Sequence, residues 1–303
     1  MPAAFKNKNL SISRYERFSM TPHLTLSVLV DNNTLTDRYF SGEPGLSFFI
    51  ETEGKKILFD TGYSGLFIAN AEKMGISLRE PDGVVLSHGH LDHSGGLVAL
   101  IRYLTESTIE EMPHNVPELI AHPRCFFPKE KLPLQNSGSV LGVAEVRRQF
   151  PVNLSAQPVW ITDDLVFLGE IPRRFAFEQT DPGKRRIHLP DGRAEPDQLL
   201  DDSALAFRSR TGLVIITGCS HAGICNITEH AREVCGEHRV VAIIGGLHLI
   251  QPTSGRLEKT CAYLRELALE SLYACHCTSL SSKITLAGSC PLREVGVGLK
   301  LAW

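Results

Sequence analysis

Apolar residues fall along this chain in two alternating patterns. Short runs rich in Leu, Val, Ile and Phe read as strands: Leu24 to Val30, Leu46 to Ile50 and Lys56 to Phe59. Asp31-Asn32-Asn33 and Glu53-Gly54 interrupt them, and the second break predicts a hairpin. A helical stretch from Ser64 to Met74 stops at Gly75, and Gly83 to Leu86 is a short buried strand. Gly95-Gly96 then opens a helix over Leu97 to Leu104. Late in the chain the order returns. Strands Ser203 to Arg208 and Leu213 to Thr217 flank Thr211-Gly212. They lead to helix Ile224 to Val234, strand Val240 to Ile244, helix Leu257 to Leu269 and strand Ser271 to Ala274. Each half reads as strands followed by helices, without a sequence repeat. The pattern predicts an α/β fold of two mixed sheets with helices outside.

The stretch between these halves is different. Pro113 to Pro196 holds eleven of the seventeen prolines. It predicts short strands such as Leu165 to Leu168 joined by long loops, a loop-rich insertion over about residues 105–200 of a domain spanning 23–303. Such loops tend to carry substrate contacts. Residues 1–22 are polar, with Lys6, Lys8, Arg14 and Arg17. They lack the apolar core of a secretory signal and read as a flexible leader.

Composition narrows the class. A net charge of −3 with 21% charged residues gives no general affinity for nucleic acid. No stretch reaches the ~18 apolar residues that cross a bilayer. The expectation is a cytoplasmic protein acting on a small molecule, with neither nucleic acid nor membrane as partner. Oligomeric state is not legible. Eight cysteines without a C-x-x-C spacing read as reduced and mostly buried.

The chemistry concentrates in Ser87-His88-Gly89-His90-Leu91-Asp92-His93-Ser94-Gly95-Gly96. Three imidazoles and a carboxylate fall within six residues, at the end of a buried strand. Imidazole and carboxylate are ligands for Zn, Fe and Mn. In an extended segment His88 and His90 face one side and can chelate one ion. Asp92 and His93, past the turn at Leu91, can reach a second ion about 3.5–4 Å away, a recurrent hydrolytic arrangement.

The H-x-H-x-D-H cluster resembles the signature of the metallo-β-lactamase superfamily. Phe59-Asp60-Thr61-Gly62 resembles that family's strand-end aspartate motif. The resemblance implies that Asp60 orients ligands from behind, and the alternative reading of the residue is a helix N-cap. Thr217-Gly218-Cys219-Ser220-His221-Ala222-Gly223-Ile224, Ile244-Gly245-Gly246-Leu247-His248-Leu249 and Cys275-His276-Cys277-Thr278 resemble three further boxes, although Ser279 replaces an expected glycine. With Asp31-Asn32 and Gly45-Leu46-Ser47, they are similar to the dihydropteroate-synthase-like branch. That branch includes a methanopterin-pathway synthase joining a dihydropterin methyl pyrophosphate to a ribofuranosylaminobenzene phosphate. The resemblance covers about residues 24–100 and 200–280. It implies a four-layer αβ/βα sandwich with the site at one edge between two mixed sheets.

Each ion needs a further protein group, and His221, His248 and His276 compete. His221 follows a buried strand and precedes a helix, as His88 does, and is assigned to the first ion. The resemblance puts the last ligand at His276, assigned to the second. His248 follows two glycines and is assigned to the pocket as a catalytic group beside Asp92, a core histidine bonded to backbone being the alternative. Cys219 is a rival ligand, since thiolates bind zinc, but free cysteines are mostly buried apolar residues. Cys275 and Cys277 flank His276 and, on a strand, would point away from it. His122 could enter the pocket, although a loop role is the plainer reading, as for His23, His114, His188, His230 and His238. Arg173-Arg174 and Lys184-Arg185-Arg186 could pair with substrate phosphates or form a solvated face.

Two divalent ions, zinc first and manganese or iron after it, would make a hydroxide nucleophile at neutral pH and act as Lewis acids. The expected activity is that of a dinuclear hydrolase. A pyrophosphate-releasing transferase on a small phosphorylated or pterin-like substrate fits the same residues. A mononuclear iron oxygenase or redox enzyme, or a non-catalytic small-ligand binder, are the alternatives. Asp92 and His93 argue against the mononuclear case.

Overall fold

The strand-like runs assemble into two large sheets. The computed structural model describes residues 23–303 apart from Leu134 and Thr180; the leader expected over residues 1–22 lies outside the described residues. The first sheet has seven strands. Leu24–Val30 pairs antiparallel with Lys300–Ala302 on one side and with Ser47–Thr52 on the other. Ser47–Thr52 forms a hairpin with Lys55–Phe59, turning at Glu53-Gly54 as expected. Gly83–Val85, Glu118–Ala121 and Val152–Leu154 then add in parallel. The second sheet has six strands. Val159–Trp160, Leu165–Phe167, Ala204–Ser209 and Gly212–Thr217 run antiparallel in turn. Val240–Gly246 and Ser271–Cys275 extend it in parallel.

Strand parity divides the core into three layers. Val214 and Ile216 face the opposite sheet, joining Phe48, Phe59, Val85, Phe167 and Phe207. Leu213 and Ile215 face outward onto Ile227 and Ala231 of helix Ile224–Cys235 and Leu264 of helix Ser254–Glu266. On the first sheet Leu58, Val84 and Leu119 face outward. They pack on Phe67 of helix Leu66–Lys73 and on Leu97 and Leu100 of helix Leu97–Ile109. Strands covered on both faces need apolar residues at every position, which explains the runs in the sequence. The result is the helix–sheet–sheet–helix sandwich that the sequence implied.

The segment expected as an insertion is partly scaffold. Glu118–Ala121 and Val152–Leu154 complete the first sheet, and Val159–Trp160 and Leu165–Phe167 complete the second. Leu165–Phe167 is the short strand expected there, but the other three, of two to four residues, carry too short a pattern to stand out among prolines. What projects from the sandwich is a three-stranded sheet of Lys129–Lys131, Arg185–His188 and Ala194–Pro196. Helix Ser254–Glu266 starts three residues earlier than the periodicity suggested, because the Thr253 side chain caps it by accepting the Arg256 N–H. The sequence pattern did not mark helix Leu280–Ala287. Among the described residues no helix is long and apolar enough to cross a membrane.

Phe207 is wholly buried in the layer between the sheets. Phe207→Ala should lower the unfolding free energy by about 3–5 kcal/mol, read from chemical denaturation. A loss under about 1 kcal/mol would mean that the sheets are not held by this layer.

Candidate metal centre

The parallel strands of both sheets end at one edge, and there the chemistry gathers. Phe59 leads to Asp60 and Val85 to the Ser87–His93 segment. In the second sheet Thr217 leads to Cys219 and His221, Gly246 to His248, and Cys275 to His276. Asp60, Ser220, His248 and His276 all have positive φ, between 48° and 57°. A non-glycine residue in that region costs about 1–3 kcal/mol and persists only where its surroundings hold it.

Among the described residues five triads of possible donors gather here, three of them with Cys219; the two without it, His88–His90–His221 and Asp92–His93–His276, each take two groups from the first sheet and one from the second. His88 Nε2 lies 3.0 Å, and His221 Nε2 3.1 Å, from His90 Nδ1. His93 Nε2 lies 3.2 Å from His276 Nε2 and 3.8 Å from Asp92 Oδ2, which is 3.4 Å from His276 Nε2. Within each triad the donor atoms lie within 4.8 Å of one another. The His88 and His93 rings, with centroids 4.2 Å apart, bring the triads side by side.

The backs of three of the rings are anchored. Asp60 Oδ2 meets His93 Nδ1 at 2.7 Å and accepts the Ser87 hydroxyl at 2.7 Å, while Oδ1 accepts the Ser87 N–H. Asp60 is therefore not a helix cap; Gly65 occupies that position for the following helix. Ser87 Oγ in turn lies 2.9 Å from His88 Nδ1. Asp31 accepts the His276 N–H at 2.8 Å, and Asn32 Oδ1 lies 3.0 Å from His276 Nδ1. With the outer nitrogens held, the Nε2 atoms of His88, His93 and His276 turn inward.

Electrostatics fits a cation between these groups. Burial and the surrounding imidazoles hold His88 and His221 well below the usual histidine range, and burial with the Lys129 charge takes His90 to about 3. These three are free bases whose lone pairs crowd one another. Burial alone would raise Asp92, but His93 and His276 outweigh it and hold its carboxyl well below the ordinary range. Burial likewise opposes charge on His93, yet Asp92 and Asp60 take it up to about 9.

The turn between His88 and His90 rests on a buried ion pair that the sequence did not announce. The Gly89 N–H donates to Asp201 Oδ2 at 2.8 Å, and Asp201 Oδ1 accepts from Lys129 Nζ at 2.5 Å. Asp197 lies 3.8 Å from the same ammonium. A Cβ at Gly89 would meet the Cys125 carbonyl oxygen at 1.9 Å, so only glycine fits between the two histidines. Lys129 sits in the proline-rich stretch and Asp201 just beyond it, and their spacing gives no signal.

The remaining candidates separate. Cys219 Sγ is 3.2 Å from His93 Nε2. Cys277, expected to point away, is buried beside it: positive φ at His276 breaks the strand alternation. Its sulfur reaches the Cys219 carbonyl and the His248 N–H. The His248 ring lies 4.2 Å from that of His221, and its Nδ1 is buried without a partner. His122 does not enter the pocket; its Nδ1 accepts the Arg124 N–H and its Nε2 meets Glu170. Arg173 bonds the carbonyls of His221 and Leu199, and Arg174 pairs with Glu233; neither lines the cleft over the triads. A cleft of about 460 Å³ opens over the triads, lined by His90, Asp92, His221, His248 and His276 together with Arg185. That is room for a small molecule.

Known proteins resemble this chain in sequence and fold. The family described as the metallo-beta-lactamase superfamily matches residues 41–232. A curated relative from Methanocaldococcus jannaschii is 30% identical over 80% of this chain and 84% of its own length. It is named 7,8-dihydropterin-6-methyl-4-(beta-D-ribofuranosyl)-aminobenzene-5'-phosphate synthase. A solved metal-dependent hydrolase of the beta-lactamase superfamily is 28% identical and superposes with a TM-score of 0.78, over 93% of this chain and 99% of its own. A diphosphatase of the PhnP family superposes with a TM-score of 0.52 at 18% identity, over 92% and 97%, and shares the fold.

Lys129→Met would leave Asp201 buried without its cation. The expected loss is about 3–5 kcal/mol of unfolding free energy, measured by denaturant titration. A variant as stable as the parent would show that the ion pair does not support the His88–His90 turn.

Proposed function

The chain belongs to the metallo-beta-lactamase superfamily, and on that premise we propose that it is a dinuclear metal-dependent hydrolase of a small phosphorylated or pterin-like molecule. His88, His90 and His221 hold one divalent ion; Asp92, His93 and His276 hold the other. Zinc is the first choice and manganese or iron follow, since mixed imidazole and carboxylate donors select weakly among them. The observation that carries this reading is the pair of convergent triads, with the outer nitrogens of His88, His93 and His276 held and the inner ones left for a cation. Bound ions supply Lewis acidity toward a carbonyl or phosphoryl oxygen and bring a water nucleophile within reach at neutral pH.

The chain's own groups have separate tasks. Asp92 stands at the rim, its side chain 36% exposed, where it orients the attacking water. His248 borders the cleft with one ring nitrogen unengaged and donates a proton to the leaving group. The eight buried free cysteines fit a reducing compartment such as the cytoplasm. A second reading is favoured by the 30% identical synthase: the same groups would assist departure of pyrophosphate while an arylamine, in place of water, takes the carbon. Product analysis with a dihydropterin methyl pyrophosphate, with and without the arylamine, separates the two.

Two variants test the assignment. The double variant H88A/H90A should lose one of two metal equivalents, by emission spectroscopy, together with turnover. Retention of two equivalents would overturn the ligand set. His248→Asn, chosen because asparagine tolerates the left-handed backbone, should keep both equivalents and lower kcat by about 10²–10⁴-fold. Loss of an equivalent would instead make His248 a ligand.

A further inference from the structure

One pair of charged side chains in the cleft has no role in the chemistry above. Lys129–Lys131 and Arg185–His188 pair antiparallel, with Ile187 opposite Lys129 and Arg185 opposite Lys131. Alternation puts these four on one face of the small sheet. Lys129 and Ile187 are buried there. One step along, Lys131 and Arg185 emerge into the cleft that holds His90, Asp92, His221 and His276.

Like charges directly opposite one another weaken an antiparallel pair. Asp197 is near enough for Arg185 to favour its charged form, but among the described residues no carboxylate contacts either cation directly. Among the described residues neither cation forms an ion pair, because the neighbouring carboxylates are engaged: Asp197 and Asp201 with Lys129, and Glu130 with His188. Asp181 gives Arg185 only its backbone oxygen, at 3.2 Å, and Arg185 Nε is buried with no partner. The rest of the basic run faces elsewhere. Arg186 is exposed and bonds the Ala194 carbonyl.

We propose that Lys131 and Arg185 form an anion clamp at the mouth of the metal cleft that receives a phosphate or diphosphate group of the substrate. The guanidinium offers a planar fork and the ammonium a point charge, and together they match a doubly charged phosphoryl group. An anion between them also removes their mutual repulsion, so the strain of the empty pair favours occupancy. The clamp rests on the metal-enzyme reading, which it deepens by assigning the recognition of the phosphorylated part of the substrate to two residues outside the donor triads.

Inorganic pyrophosphate is the probe, titrated calorimetrically into the zinc-loaded and the chelator-stripped protein. The K131Q/R185Q variant should bind it about tenfold or more weakly in both forms, as expected for lost charge-assisted hydrogen bonds. R186Q should bind it as the parent does. Equal affinity in parent and K131Q/R185Q, at equal metal content, overturns the clamp and leaves the metal-enzyme reading standing. A parent that takes up no metal overturns that reading, while weaker pyrophosphate binding by the stripped variant still supports the clamp. If the double variant does not fold, K131Q alone, at an exposed strand end, carries the test. A loss of about threefold is then expected, and none overturns the proposal.

Discussion

Everything at this edge of the molecule follows from one constraint: the ring nitrogens of His88, His90 and His221, held as free bases, are in contact with one another and beside those of His93 and His276, away from water. Such nitrogens repel, and burial strips them of hydration, so each ring must be fixed from outside. Asp60 does this for His93, Asn32 for His276 and Ser87 for His88. The fold meets the same need at the backbone, where Asp201 holds the Gly89 amide and Lys129 holds Asp201. A buried lysine between two aspartates contributes little net stability by itself. Its consequence is geometric: the chain between the first two histidines has one place to go.

Much of this was legible from the order of residues. His88, His90, Asp92 and His93 announced themselves by density, and the apolar runs gave the sandwich because strands covered on both faces leave no polar positions. Cys277 was misread because alternation was carried past His276, where positive φ ends it. His122 offered a loop histidine with two free nitrogens, and the fold spends both on structure. Lys129 and Asp201 are 72 residues apart, and no local pattern connects such a pair. Asp31 and Asn32 were visible only as part of a resemblance, because their task is to hold a residue 244 or 245 positions away.

The proline-rich middle of the chain shows how far short strands escape pattern reading. Glu118–Ala121 and Val152–Leu154 are too brief to display a period, yet without them the first sheet would lack its outer parallel strands. Their apolar residues gain meaning only from neighbours supplied by distant segments, as Val84 and Leu119 do beside Leu58. The projecting sheet is where sequence reasoning placed the loops, and it borders the cleft as such segments tend to do.

The His88–His90–His221 and Asp92–His93–His276 triads each draw two groups from one sheet and the third from the other. A centre built on them is a seam between two half-sandwiches, although Cys219 with His276 and Cys277, or with His221 and His248, gathers donors from the second sheet alone. A rotation or slide of one sheet against the other would misalign both triads together. The thickness of the aromatic layer around Phe48, Phe59 and Phe207 therefore acts as a spacer that sets the bite of the donors from a distance. Core substitutions that leave the fold intact could still detune the cleft, which makes donor alignment a gauge of how the two halves dock.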